Sequence, residues 1–115
     1  MHVLVIRLSA MGDVAMTVPV ILAALDQNPE LRITVLSRKS FHHFFPDSDR
    51  LHFEAVDTKG EHKGLRGLRR LYKQLRKKYE FNAVADFHNV LRSQVITGLF
   101  NLKRIPSAAI KKGRA

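Results

Sequence analysis

Apolar residues recur along this chain in two rhythms: short runs, and stripes spaced three and four apart. The first run, HVLVIR at residues 2–7, is unbroken, as in a strand buried on both faces at the centre of a parallel sheet. LSAMG then turns the chain. From Asp13 the spacing becomes helical, with Val14, Val18, Ile21, Leu22 and Leu25 on one face and Asp13 at the N-cap or in the first turn. Pro19 predicts a bend there, or a restart after a short opening turn, because proline costs about 3 kcal/mol inside a helix. NPEL closes the segment.

The alternation continues. RITVLS at 32–37 is a second strand, and SFHHFF after it is a short helix with a packed aromatic face, stopped at Pro46. LHFEAV at 51–56 alternates strictly, which suits a strand nearer an edge. Residues 65–79 form the clearest helix, with Leu65, Leu68, Tyr72, Leu75 and Tyr79 in one stripe and Leu71 beside it. NAVADF at 82–87 is the fourth strand. Asn89 caps a further helix through VLRSQVITGLF, and KRI at 103–105 is a short fifth strand before Pro106. Strands alternating with helices predict an α/β fold, a Rossmann-like parallel sheet with helices on both faces. Residues 1–105 make up that domain, and 106–115 a basic tail or the start of a linker.

Composition narrows the picture. The chain has 115 residues, enough for one modest core, and no cysteine, which removes disulfides and thiolate zinc sites. The opening run is cut by Arg7 and Asp13, unlike a secretory signal. The longest later apolar stretch, VAMTVPVILAAL, falls short of the ~20 residues that span a bilayer, so a soluble protein is expected. The net charge is +10, concentrated in residues 59–80 with nine basic and two acidic side chains. Such a field attracts polyanions or an anionic membrane, with Arg66, Arg69, Arg70 and Lys77 as the surface residues; its plain alternative is a solvated helix face.

In such folds ligands bind beyond the carboxyl ends of the strands. Three stretches reach that edge: LSAMGDV, SRKS and DFHNVLRS. Gly12 permits a tight turn, and the helix start after it suits an anion. Neither GxGxxG nor a P-loop is present. Asp13 is either a helix cap or a general base that takes a proton from a hydroxyl. Arg7 either holds a phosphate or makes a salt bridge. Asp86 satisfies backbone groups at its turn. His88 and Asn89 face a substrate or cap the junction, while Arg92 and Ser93 lie within reach of an anion or face solvent. His42 and His43 belong to a surface turn rather than to a metal site. A phosphoacceptor domain of the response-regulator type would need clustered carboxylates after the first strand, where only Asp13 stands.

VLVIRLSAMGDVAMTVP closely resembles the N-terminal signature of the heptosyltransferases, glycosyltransferase family 9 of lipopolysaccharide core synthesis. ITVLSRKSFHHFF, LRRLYKQLRKKYEFNAVADF and DFHNVLRS resemble its later segments, and together they cover nearly the whole chain. In the last motif His88 and Asn89 replace the Gln-Gly of most members. The resemblance implies the N-terminal half of a GT-B architecture, with an acceptor-binding domain facing a donor domain across a cleft. It implies no metal and no cofactor. Asp13 would be the base, with Arg7, Ser9, Met11, Gly12, His88, Asn89 and Arg92 around the acceptor. The donor would be an ADP-sugar such as ADP-heptose, and the partner a lipid-linked acceptor at the cytoplasmic face of the inner membrane. Members are roughly three times as long, so these 115 residues alone are expected to be inactive. The reading that rests on charge alone is a basic α/β domain for nucleic acid or another polyanion, with no specific nucleic acid expected.

Overall fold

The structure is a computed structural model and describes residues 1–7, 11–46, 48–57, 60–86, 96–98, 100, 105 and 107–109; for 11–13 and 107–109 it describes the backbone alone. Among the described residues five strands form one parallel sheet: β1 (His2–Ile6), β2 (Arg32–Arg38), β3 (Leu51–Val56), β4 (Ala83–Asp86) and β5 (Ser107–Ala109). Their spatial order is β3-β2-β1-β4-β5, which puts the unbroken apolar run at the centre and the alternating run at an edge. Register sets Ile6 beside Leu36 on one side and Asp86 on the other.

Helix α1 (Met11–Gln27) packs on one face of the sheet and α2 (Gly64–Lys78) on the other. The α1 side buries Val5, Val14, Ile21, Leu25, Ile33, Val35, Phe45 and Leu51. The α2 side buries Leu4, Ile6, Leu36, Val56, Val84, Leu68, Leu71, Tyr72 and Leu75, together with Phe81, Ile96 and Phe100. Strands β1 to β4 send side chains to both layers, as the period of two requires.

Several details depart from the sequence pattern. α1 runs through Pro19 as one helix rather than restarting. Its end is satisfied by Asn28, whose backbone N–H and Nδ2 both donate to the Ala24 carbonyl, at 3.1 and 2.8 Å. The short helix is a 3-10 segment, Lys39–Phe44, held by ring contacts such as His42 on Phe53 at 4.5 Å. Leu22 and Leu65 do not belong to the buried stripes: they are 40% and 71% exposed. Leu71 is the residue that fills the position beside Leu68. The fifth described strand lies after position 106: Ala108 pairs with Ala85, Ile105 is not in a strand, and residues 103 and 104 of the expected strand lie outside the described residues. The segment expected to be a tail or linker therefore supplies an edge strand. Of the helix expected from Asn89, residues 96–98 and 100 are helical, and the remainder lies outside the described residues.

The loop from β3 to α2 is closely fitted. The Asp57 N–H donates to Nδ1 of buried His62 at 2.9 Å. Nδ1 is therefore the unprotonated nitrogen, and Nε2–H donates to Gln74 Oε1 at 2.8 Å. Gly64 opens the helix at φ +67°, a conformation that L side chains resist. A Cβ on Gly67 would stand 2.1 Å from the His62 carbonyl carbon, so only glycine lets the loop lie against the helix.

Candidate functional site

The carboxyl edge of the sheet is built by the ends of β1, β2 and β4. Ile6 is the last residue of β1, and Arg7 extends it by one backbone bond, its N–H donating to the Leu36 carbonyl at 3.1 Å. Ser37 Oγ donates to the Arg7 carbonyl at 2.5 Å. These two bonds fasten the end of β1 to β2 and fix the direction in which the chain leaves for α1. Arg7 is 7% exposed and Asp86, in register with Ile6, is 1% exposed. An ionised carboxylate this deep costs several kcal/mol unless it is partnered, and neither residue is without a partner. Arg38 ends β2 at the same edge, and its buried Nε has no hydrogen-bond partner among the described residues.

The backbone of Met11, Gly12 and Asp13 forms the first turn of α1, directly after this edge. Folds of this kind bind ligands beyond this edge of the sheet, where a helix start presents unpaired backbone N–H groups. Ser9, His88, Asn89 and Arg92 lie outside the described residues. Sequence reasoning pointed at SRKS, which contains Arg38, without singling that residue out, because the burial of its Nε leaves no local pattern.

The basic residues sit elsewhere. Arg66, Arg69, Arg70 and Lys77, joined by Lys73 and Gln74, line a shallow cavity of about 400 Å³ on the exposed side of α2. Three and four residues apart, their side chains share one helical face. Arg76, Lys77 and Lys78 fill the last turn, where cations complement the helix dipole. Among the described residues no helix is long and apolar enough to cross a membrane, and no group of three His, Asp or Glu side chains could hold a metal ion.

A parallel sheet in this order, with helices on both faces, defines the class as a Rossmann-like α/β domain by fold alone. Comparison with solved structures refines it. The chain is similar to a glycosyl transferase family 9 protein from Veillonella parvula, with TM-score 0.81 and 18% identity over 99% of this chain and 37% of that one. It is also similar to the Escherichia coli heptosyltransferase WaaC solved with ADP, with TM-score 0.65 and 18% identity over 95% of this chain and 35% of that one. A UGT transferase from Siraitia grosvenorii in complex with UDP matches with TM-score 0.69 and 12% identity, over 96% of this chain and 27% of that one. These likenesses show a fold shared with glycosyltransferases, in agreement with the resemblance drawn from the motifs. The chain spans about a third of the length of the solved structures it matches. No family model and no curated protein matches the sequence.

Proposed function

We propose that this chain is the acceptor-side, N-terminal domain of an inverting glycosyltransferase resembling the heptosyltransferases. It would serve transfer of a sugar from an ADP-sugar such as ADP-heptose to a lipid-linked glycan core. The observation that supports this best is the position of Asp13 in the first turn of α1 at the carboxyl edge of β1, on a fold shared with glycosyltransferases.

In the reaction, the Asp13 carboxylate takes the proton of an acceptor hydroxyl. That oxygen bonds to the anomeric carbon while the bond from the anomeric carbon to the diphosphate oxygen breaks. The nucleoside diphosphate leaves and the configuration inverts. Arg7, Ser9, Met11, Gly12, His88, Asn89 and Arg92 orient the acceptor. The donor diphosphate is held by a second domain, so the 115 residues alone are inactive. The cationic face of α2 draws the protein to phosphorylated cores or to the anionic inner face of the cytoplasmic membrane.

The test is Asp13→Ala in the complete enzyme. Loss of a general base lowers turnover by about 10²–10⁴-fold, with acceptor binding and folding retained. Turnover within a few-fold of the parent would overturn the assignment.

A further inference from the structure

The opposite pole, where the strands begin, holds a cavity of about 640 Å³ between His2, Arg32, His52, Arg76, Lys77 and Lys78. That volume is typical of small-molecule sites. Residues far apart in sequence meet there. Register puts His2 of β1 beside Arg32 of β2, and Thr34 of β2 beside His52 of β3. The last turn of α2 closes over them.

The floor is aromatic and fixed in place. His2 meets Tyr79 edge-on at 5.3 Å and lies 6.0 Å from His52, which is 5.7 Å from Tyr79. His2 Nε2 is hydrogen-bonded to the buried hydroxyl of Thr34 at 2.7 Å, which leaves Nδ1 for another partner. Glu54 is already in use: its Oε2 accepts from Lys78 Nζ at 2.8 Å and from the Tyr79 hydroxyl at 2.5 Å. Glu30 and Glu80 also line the cavity, yet among the described residues no carboxylate lies within ion-pair distance of Arg32, Arg76 or Lys77. The cations of the lining therefore outnumber its carboxylates over an aromatic floor. Burial, His52, Arg32 and the N-terminal ammonium together hold the His2 pKa down at about 4, so its ring is neutral near pH 7.

We propose that this cavity is an anion site for a small phosphate-bearing ligand, with Arg32 and Lys77 gripping the phosphate over the imidazoles of His2 and His52. Charge-assisted bonds from two cations on different elements supply affinity and position. The site is separate from the carboxyl edge that carries Asp13.

The histidine ring protons of the full chain, followed by NMR near neutral pH at constant ionic strength, give the test. Inorganic pyrophosphate should shift His2 and His52 saturably and leave His42 and His43 in place. Arg32→Glu should weaken that binding by about tenfold or more, Arg32→Gln by less, and Arg66→Glu, on the outer face of α2, hardly at all. Asp13→Ala should leave the titration unchanged, so the two sites fail independently. Vesicles of phosphatidylglycerol, with phosphatidylcholine as control, separate the sources: Arg32-dependent shifts with the anionic vesicles alone would assign the phosphate to a lipid headgroup. Equal shifts of all histidines, or Arg32→Glu binding as the parent does in both arms, would overturn the site.

Discussion

Helices α1 and α2 do the same structural job on opposite faces of one sheet, and they present opposite chemistry outward. α1 buries Val14, Thr17, Ile21 and Leu25, yet its outer side is also apolar, with Met16 at 74% exposure and Val20 and Leu22 open to solvent. It carries no cation between Met11 and Gln27. α2 buries Gly67, Leu68, Leu71, Tyr72 and Leu75 in a clean stripe, and its outer side is almost wholly Arg and Lys. Burial of the inner stripe is what anchors either helix; the outer residues contribute little to stability and are free to set what the molecule attracts. Packing belongs to the inner positions, and the outer positions decide what charge the surface carries.

The sharpest way to break that division is to cut the inner stripe. Leu75→Ala removes a fully buried side chain from the α2 layer and should cost about 2–5 kcal/mol by chemical denaturation. A loss below ~1 kcal/mol would mean that α2 is not held by its stripe. Gly67→Ala follows. Its methyl has no room against the His62 backbone, so the loop must move, at about 1–3 kcal/mol. An unchanged midpoint would show that the loop does not lie against the helix.

The pole beneath α2 gives a pH-dependent version of the same comparison. The folded pKa of His2 is depressed from 6.5 to about 4, so between those values the unfolded chain binds the extra proton. Stability is therefore greatest above pH 6.5 and declines as pH falls toward 4. The ring is only partly buried, and solvent screening holds the effect to on the order of 1 kcal/mol. Denaturation across this range should show the slope, and His2→Gln should flatten it. An equal slope in the variant would place its origin elsewhere.

The smallest stability effects belong to the outer faces. Reversing charge at Arg66, Arg69, Arg70 and Lys77 should change stability little while abolishing binding to anionic vesicles, and Met16→Lys should stay within about 0.5 kcal/mol. Vesicle binding that survives the four reversals would remove recognition from the face of α2.

The periodicities carried much of the fold. HVLVIR read as a central strand and is central; LHFEAV read as an edge strand and is one. They carried less of the site. Asp13 was legible as part of the first turn of a helix, which the backbone of α1 bears out. The buried Nε of Arg38 at the end of β2, and the meeting of His2, Arg32 and His52, left no local pattern, because a strand's neighbours across the sheet are not written in its own rhythm.

The sequence by itself determined the alternation of elements, the apolar faces and the place where charge accumulates, since each depends on residues a few positions apart. Tertiary structure decided the rest. Pairing with β4 made a strand of Ser107–Ala109 after Pro106, where no apolar run announced one. The close approach of His62 gave Gly67 its necessity. Strand order brought four distant cations and two histidines to one pole. The first and third depend on contacts between segments far apart in the chain, and the second on how a loop folds back on the helix that follows it; only the packed sheet and helices specify those.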